Sequence, residues 1–142
     1  MPDSTMLQSK DLQERYERYK AKIKNFTIMN DIFMRNVLKK KKCTEYILQV
    51  IMEDKGITVI DQTLQKDYKN LQGRSAILDC VAKDTNNRQF NVEIQGDNEG
   101  ASPKRARYHC GLLDMNILNP GESFDALPDT YVIFITRNDI LG

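Results

Sequence analysis

One carboxylate sits where a carboxylate is costly. Asp79 lies inside Ile77–Val81, a run with no other polar residue. Moving a carboxylate out of water without a partner costs several kcal/mol or more. Asp79 therefore needs a cation beside it. The following segment, Phe90 to Gln95, alternates cleanly, with Phe90, Val92 and Ile94 on one face and Asn91, Glu93 and Gln95 on the other. Between the two runs lies turn chemistry, Asp84 to Asn87. The stretch reads as a hairpin carrying one carboxylate on each strand.

Hairpin parity decides whether those carboxylates meet. A loop of three or five residues sets Asp79 opposite Glu93, and a loop of two or four separates them unless a bulge intervenes. Thr85-Asn86-Asn87 offers a three-residue loop, with Asn87 suited to the left-handed position such loops need. Same-face pairing is therefore expected. Two adjoining carboxylates repel and raise one pKa unless a cation lies between them. On spacing alone an arginine such as Arg74, Arg105 or Arg107 would serve as well as a divalent metal.

Composition narrows the choice of metal. The chain has one histidine and three widely spaced cysteines, Cys43, Cys80 and Cys110, all in apolar patterns. That argues against a zinc site and against a disulfide framework. Any catalytic metal would be held by carboxylates and carbonyls, which suits hard cations such as Mg²⁺. The net charge of +1 gives no bulk support for nucleic-acid binding. No apolar run approaches the ~20 residues of a membrane helix. Residues 1–13 are polar and lack a signal-peptide core, so a cytoplasmic location is expected.

The remaining chain reads as support. Met6–Lys24 is a charged amphipathic helix with Leu12, Tyr16, Tyr19 and Ile23 at helical spacing. It is read as a solvated extension, the alternative being a face that packs on the domain or on a second subunit. Asn30 or Asp31 caps a short helix carrying Phe33, Val37 and Leu38. The lysine run Lys39–Lys42 is a solvated connection, with phosphate contact as its alternative. A helix from Thr44 to about Asp54 has Ile47, Val50 and Ile51 as its core stripe and stops at Gly56. Strands are expected at Ile57–Gln65, Ser75–Ala82, Arg88–Gln95 and Tyr131–Thr136. Ser102-Pro103 starts a helix that Asn119-Pro120-Gly121 stops, with Ala106, Cys110, Leu113 and Ile117 facing the core. Consecutive strands should pair antiparallel, and the last strand rejoins the sheet by a crossover. The fold class is α/β, a small mixed sheet flanked by helices.

Asp79 followed by Glu93-Ile94-Gln95 resembles the PD-(D/E)XK nuclease superfamily. More narrowly, the chain is similar to the PD-(D/E)XK nuclease family transposases, the Rpn-type recombination-promoting nucleases. The likeness includes Ile28–Phe33, Cys43–Leu48, Gly73-Arg74, Leu78-Asp79, Asn91–Gln95, Ala101–His109 and Tyr131–Ile135, and the Arg105-Ala-Arg107-Tyr108-His109 run is its most specific part. The resemblance implies a restriction-endonuclease-like core over 26–142, behind a helical extension over 1–25. It implies Mg²⁺-dependent cleavage of DNA, with Mn²⁺ as a substitute cation. Asp79 and Glu93 would be metal ligands, with the backbone carbonyl of Ile94 as a third. Gln95 stands where the superfamily often has lysine; it can orient water but supplies no charge, which Lys104 would bring from the next helix instead. Glu45 resembles a helix glutamate that assists the metal in relatives, although its helical phase points away from Ile47 and Ile51. Lys104, Arg105, Arg107 and Tyr108 are the candidate DNA contacts. Arg105 lies on the side of His109 and Asn116, and Arg107 on that of Asp114. Packing is preferred to base stacking for Tyr108, and a flank position to a general base for His109. Relatives continue past the last strand, so a fragment or a remnant lacking C-terminal elements is expected. The other reading is a catalytically inactive relative that binds DNA or protein. A homodimer through the N-terminal helix is a third.

Overall fold

The computed structural model describes residues 4–24, 31–70, 73–74, 76–95 and 101–139. In chain order these form α1 (Ser4–Lys24), α2 (Asp31–Leu38), α3 (Lys41–Ile51), β1 (Val59–Tyr68), β2 (Ala76–Asp84), β3 (Gln89–Gln95), α4 (Pro103–Ile117), a 3-10 turn (Phe124–Ala126) and β4 (Thr130–Thr136). The strands make one sheet in the order β1-β2-β3-β4. The first three are antiparallel, because short connections join them, and β4 returns parallel to β3 after the α4 crossover. The sheet lies between α2/α3 and α4, an α/β sandwich of the expected class. Asn30, a candidate cap for α2, lies outside the described residues.

Two apolar clusters hold the layers. Met34, Leu38, Leu48, Cys80, Ala82, Phe90 and Val92 pack between α2/α3 and the sheet. Tyr68, Leu78, Val81, Leu112 and Leu113 pack between the sheet and α4. β2 and β3 are both covered on both faces; β2 reads almost continuously apolar for that reason, whereas β3 alternates because its α4 side carries the buried polar residues Asn91 and Glu93.

Both long-helix stripes are rotated from expectation. In α3 the buried residues are Thr44 and Leu48, with Ile47 half-buried, whereas Val50 is 59% exposed and Ile51 40%. Buried Thr44 donates Oγ1 to Leu38 O at 3.2 Å, so a hydroxyl satisfies the carbonyl left open at the end of α2. In α4 the expected Leu113 is buried and Ile117 packs against its cluster, but His109 and Leu112 complete the buried face while Ala106 and Cys110 are half-buried. Ser102 caps α4 as expected, its Oγ accepting from Arg105 N at 3.1 Å ahead of Pro103 at the first turn. Residues 9–22 of α1 are all exposed. Among the described residues no helix is long and apolar enough to cross a membrane.

Candidate active site

The hairpin between β2 and β3 sets the site. Asp84 N donates to Arg88 O, and Thr85-Asn86-Asn87 is the three-residue loop. Asn87 takes the left-handed conformation, φ 62°. Buried Asp84 holds the turn: its Oδ1 accepts from Asn86 N (3.0 Å) and Arg88 N (2.8 Å), and its Oδ2 from Arg88 Nε (2.7 Å). The resulting register pairs Cys80 with Val92 and Val81 with Asn91. Continued by one residue, it sets Asp79 opposite Glu93.

The two strands part at that row. The Asp79 N–H donates to Glu93 Oε1 at 3.1 Å, and the Ile94 N–H to Asp79 Oδ2 at 3.2 Å. Each carboxylate replaces a main-chain acceptor of the ladder and is fixed by doing so. On the other side of β2, Leu64 pairs with Cys80 and Lys66 with Leu78, so Gln65 stands opposite Asp79. Its Nε2 donates to Asp79 Oδ1 at 3.1 Å. Gln65, Asp79 and Glu93 thus form one row across three strands.

Glu93 is 2% exposed. Its Oε1 also accepts from Asn91 Nδ2 at 3.1 Å. His109, itself 2% exposed, closes the site from α4. Its Nδ1 lies 3.4 Å from Asn91 Oδ1 and 3.6 Å from Glu93 Oε1, and its ring meets Phe134 edge-on at 5.6 Å. Burial pushes Glu93 up to about 8, helped by the Asp79 carboxyl beside it and opposed by the Asn91 and Asp79 donors. Burial likewise lowers the pKa of His109, and the Arg105 charge lowers it further. Both effects favour the neutral imidazole, against a smaller pull from Asp79. Among the described residues no arginine pairs with Asp79 or Glu93, so the arginine alternative is not realised.

The chemistry of the donor set fits a divalent cation. Burial and the adjoining Asp79 carboxyl raise the Glu93 pKa while no positive charge lies between the two, and a cation between them reverses that balance. Among the described residues no group of three His, Cys, Asp or Glu side chains converges. The remaining donors would be backbone carbonyl and water, as Mg²⁺ accepts readily.

The other expected residues divide. Half-buried Gln95 ends β3 beside Thr136, two residues beyond Glu93 on the same strand face. Arg105 lies near enough to His109 for its charge to act there. Glu45 is not brought to the pair. Its Oε2 accepts from Val59 N at 3.0 Å and holds the start of β1, about 20 Å along the strand from the Gln65 row. Lys104, Arg107 and Tyr108 line a cavity of about 320 Å³ with Asn70 and Met115, and neither Asp79 nor Glu93 lines it. Tyr108 donates its hydroxyl to Arg74 O at 2.7 Å and accepts from Asn70, so it ties the β1–β2 connection to α4. Asp114 accepts from Thr130 Oγ1 at 2.9 Å, an anchor between α4 and β4. His109, weighed from sequence as a general base but read as a flank residue, is instead buried against Asn91 and Glu93; Asn91 and Gln65 were missed as site residues. Only Asn91 carried a signal, its phase with Glu93.

No curated protein and no solved structure matches the chain. A family comparison does match: residues 32–141 fit the PD-(D/E)XK nuclease family transposases. The match spans all four strands, α3 and α4, and both carboxylates of the row. A mixed four-stranded sheet with flanking helices is the restriction-endonuclease-like arrangement that such nucleases use. The chain belongs to the PD-(D/E)XK nuclease family transposases.

Proposed function

We propose that the protein is a metal-dependent DNA endonuclease with Asp79 and Glu93 as its metal ligands. The observation that supports this best is the meeting of two carboxylates where β2 and β3 part, with no arginine beside them among the described residues. Asp79 and Glu93 would hold Mg²⁺ or Mn²⁺, with the Ile94 carbonyl as a third donor. Such an ion, when bound, supplies positive charge for a phosphoryl oxygen and acidifies water.

The side chains do the rest. Asn91 and the Asp79 N–H keep Glu93 Oε1 in one orientation, and His109 holds Asn91 from behind. Gln95 offers both a donor and an acceptor, so it orients a water without deprotonating it. Arg105, whose charge reaches His109, would be the cation that meets a DNA phosphate. The test is cleavage of supercoiled plasmid with Mg²⁺ or Mn²⁺ beside Asp79→Ala. Nicking by the parent and none by the variant is expected; equal nicking by both, or none by either, defeats the reading.

A second reading is an inactive relative that binds DNA or protein. One observation favours it: Gln95 brings no charge, and Lys104 lines a cavity that neither carboxylate lines. A salt-dependent DNA shift without cleavage would select it.

A further inference from the structure

Gln65 has a backbone conformation its strand does not call for. It lies inside the ten-residue β1, yet its φ is 52°. That left-handed region is unfavourable for a residue with a Cβ and persists only where the surroundings impose it. No inserted residue explains it, because Leu64↔Cys80 and Lys66↔Leu78 keep one register on either side. Burial does not explain it either, because Gln65 is exposed.

The row itself accounts for it. Residues of the same parity change cluster across this point. Cys80 and Leu64 pack with α2/α3, whereas Leu78 and Tyr68 pack toward α4. The hairpin therefore coils at the row of Gln65 and Asp79, and the left-handed backbone held there re-aims a side chain, as strained residues at functional sites do. Here the re-aimed side chain is the Gln65 amide, which donates to Asp79 Oδ1 at 3.1 Å. Asp79 Oδ2 is already held by the Ile94 N–H. One donor on each oxygen fixes the carboxylate plane and leaves each oxygen a lone pair for a cation.

We propose that Gln65 is a positioning residue, whose left-handed backbone aims its amide at Asp79 Oδ1 and sets that carboxylate for a divalent cation. This rests on the metal-dependent reading above. Partners that orient a ligand side chain typically change metal affinity about 10- to 100-fold when removed.

The test uses the full chain with Mn²⁺ alone as probe, followed by calorimetry and by electron paramagnetic resonance. Gln65→Gly accepts the left-handed backbone and lacks the amide. It should melt at or above the wild-type temperature yet bind Mn²⁺ about 10-fold more weakly. Gln65→Asn tolerates the same backbone but is one methylene short, and should lose the same affinity. Cleavage by both variants should need more Mn²⁺ and regain its maximal rate when Mn²⁺ is raised. Wild-type Mn²⁺ affinity in Gln65→Gly, or a melt well below wild type, overturns the proposal. If the wild-type protein takes up no Mn²⁺, the metal-dependent reading fails. The tether is then judged in metal-free protein by a double-mutant cycle of Gln65→Gly with Asp79→Ala. Additive melting changes overturn it, and non-additive ones retain it.

Discussion

Asp79 and Glu93 occupy each other's place in the ladder: the Asp79 N–H ends on Glu93 Oε1 at 3.1 Å, where a main-chain carbonyl would stand in regular pairing. The contact that opens the sheet is the contact that builds the site. Both carboxylates are thereby fixed by backbone, and strain or charge in one is felt by the other.

That coupling makes metal-free stability depend on pH. Glu93 is raised from 4.5 to about 8 by burial and by Asp79. A carboxyl raised in the folded state contributes stability that is fully present below its unfolded value and lost as pH rises through its folded one. In chelator, the melting temperature should fall between about pH 5 and pH 8. Glu93→Gln keeps an acceptor at Oε1 without charge, so it should flatten this slope, melt above the wild type at pH 8 and abolish Mn²⁺ uptake. An unchanged slope in the variant would show that another group titrates.

The hairpin turn can be tested separately. Asn87 sits at φ 62°, where asparagine is tolerated and a β-branched side chain is not. Asn87→Val should cost about 1–2 kcal/mol in urea unfolding, and Asn87→Gly should be neutral or slightly stabilising. Equal effects of the two substitutions would detach the register from this turn.

His109 carries both packing and polarity. His109→Ala leaves a void against Phe134 and removes the partner of Asn91 Oδ1. The expected loss is about 2–4 kcal/mol, together with weaker Mn²⁺ binding, because Glu93 loses the support that reaches it through Asn91. Full stability in this variant, read by chemical denaturation, would remove His109 from the site.

The cysteines should differ in reactivity. Cys80 is fully buried, and burial pushes its thiol up to about 12. Half-buried Cys43 and Cys110 should react with a thiol reagent at pH 8 in the native protein, and Cys80 only on unfolding. Mass mapping of the labelled sites decides the order.

Much of the site was present in local pattern. The alternation of Phe90 to Gln95, the apolar run around Asp79 and the turn residue Asn87 together determine that two carboxylates meet, because strand side chains alternate with a period of two. The Ser102-Pro103 start, the crossover and the family likeness were equally legible. What surrounds the pair was not. Ala106 and Cys110 look as suited to the core as His109 does, and only the polar row on β3 makes an imidazole the better residue to bury there. Glu45 had a helical phase but no visible partner until the start of β1 was placed against it. Nothing near Gln65 in sequence marks a left-handed residue. Its conformation is decided by the coil of the hairpin and by a carboxylate fourteen residues away, a relationship that exists only once the sheet has formed.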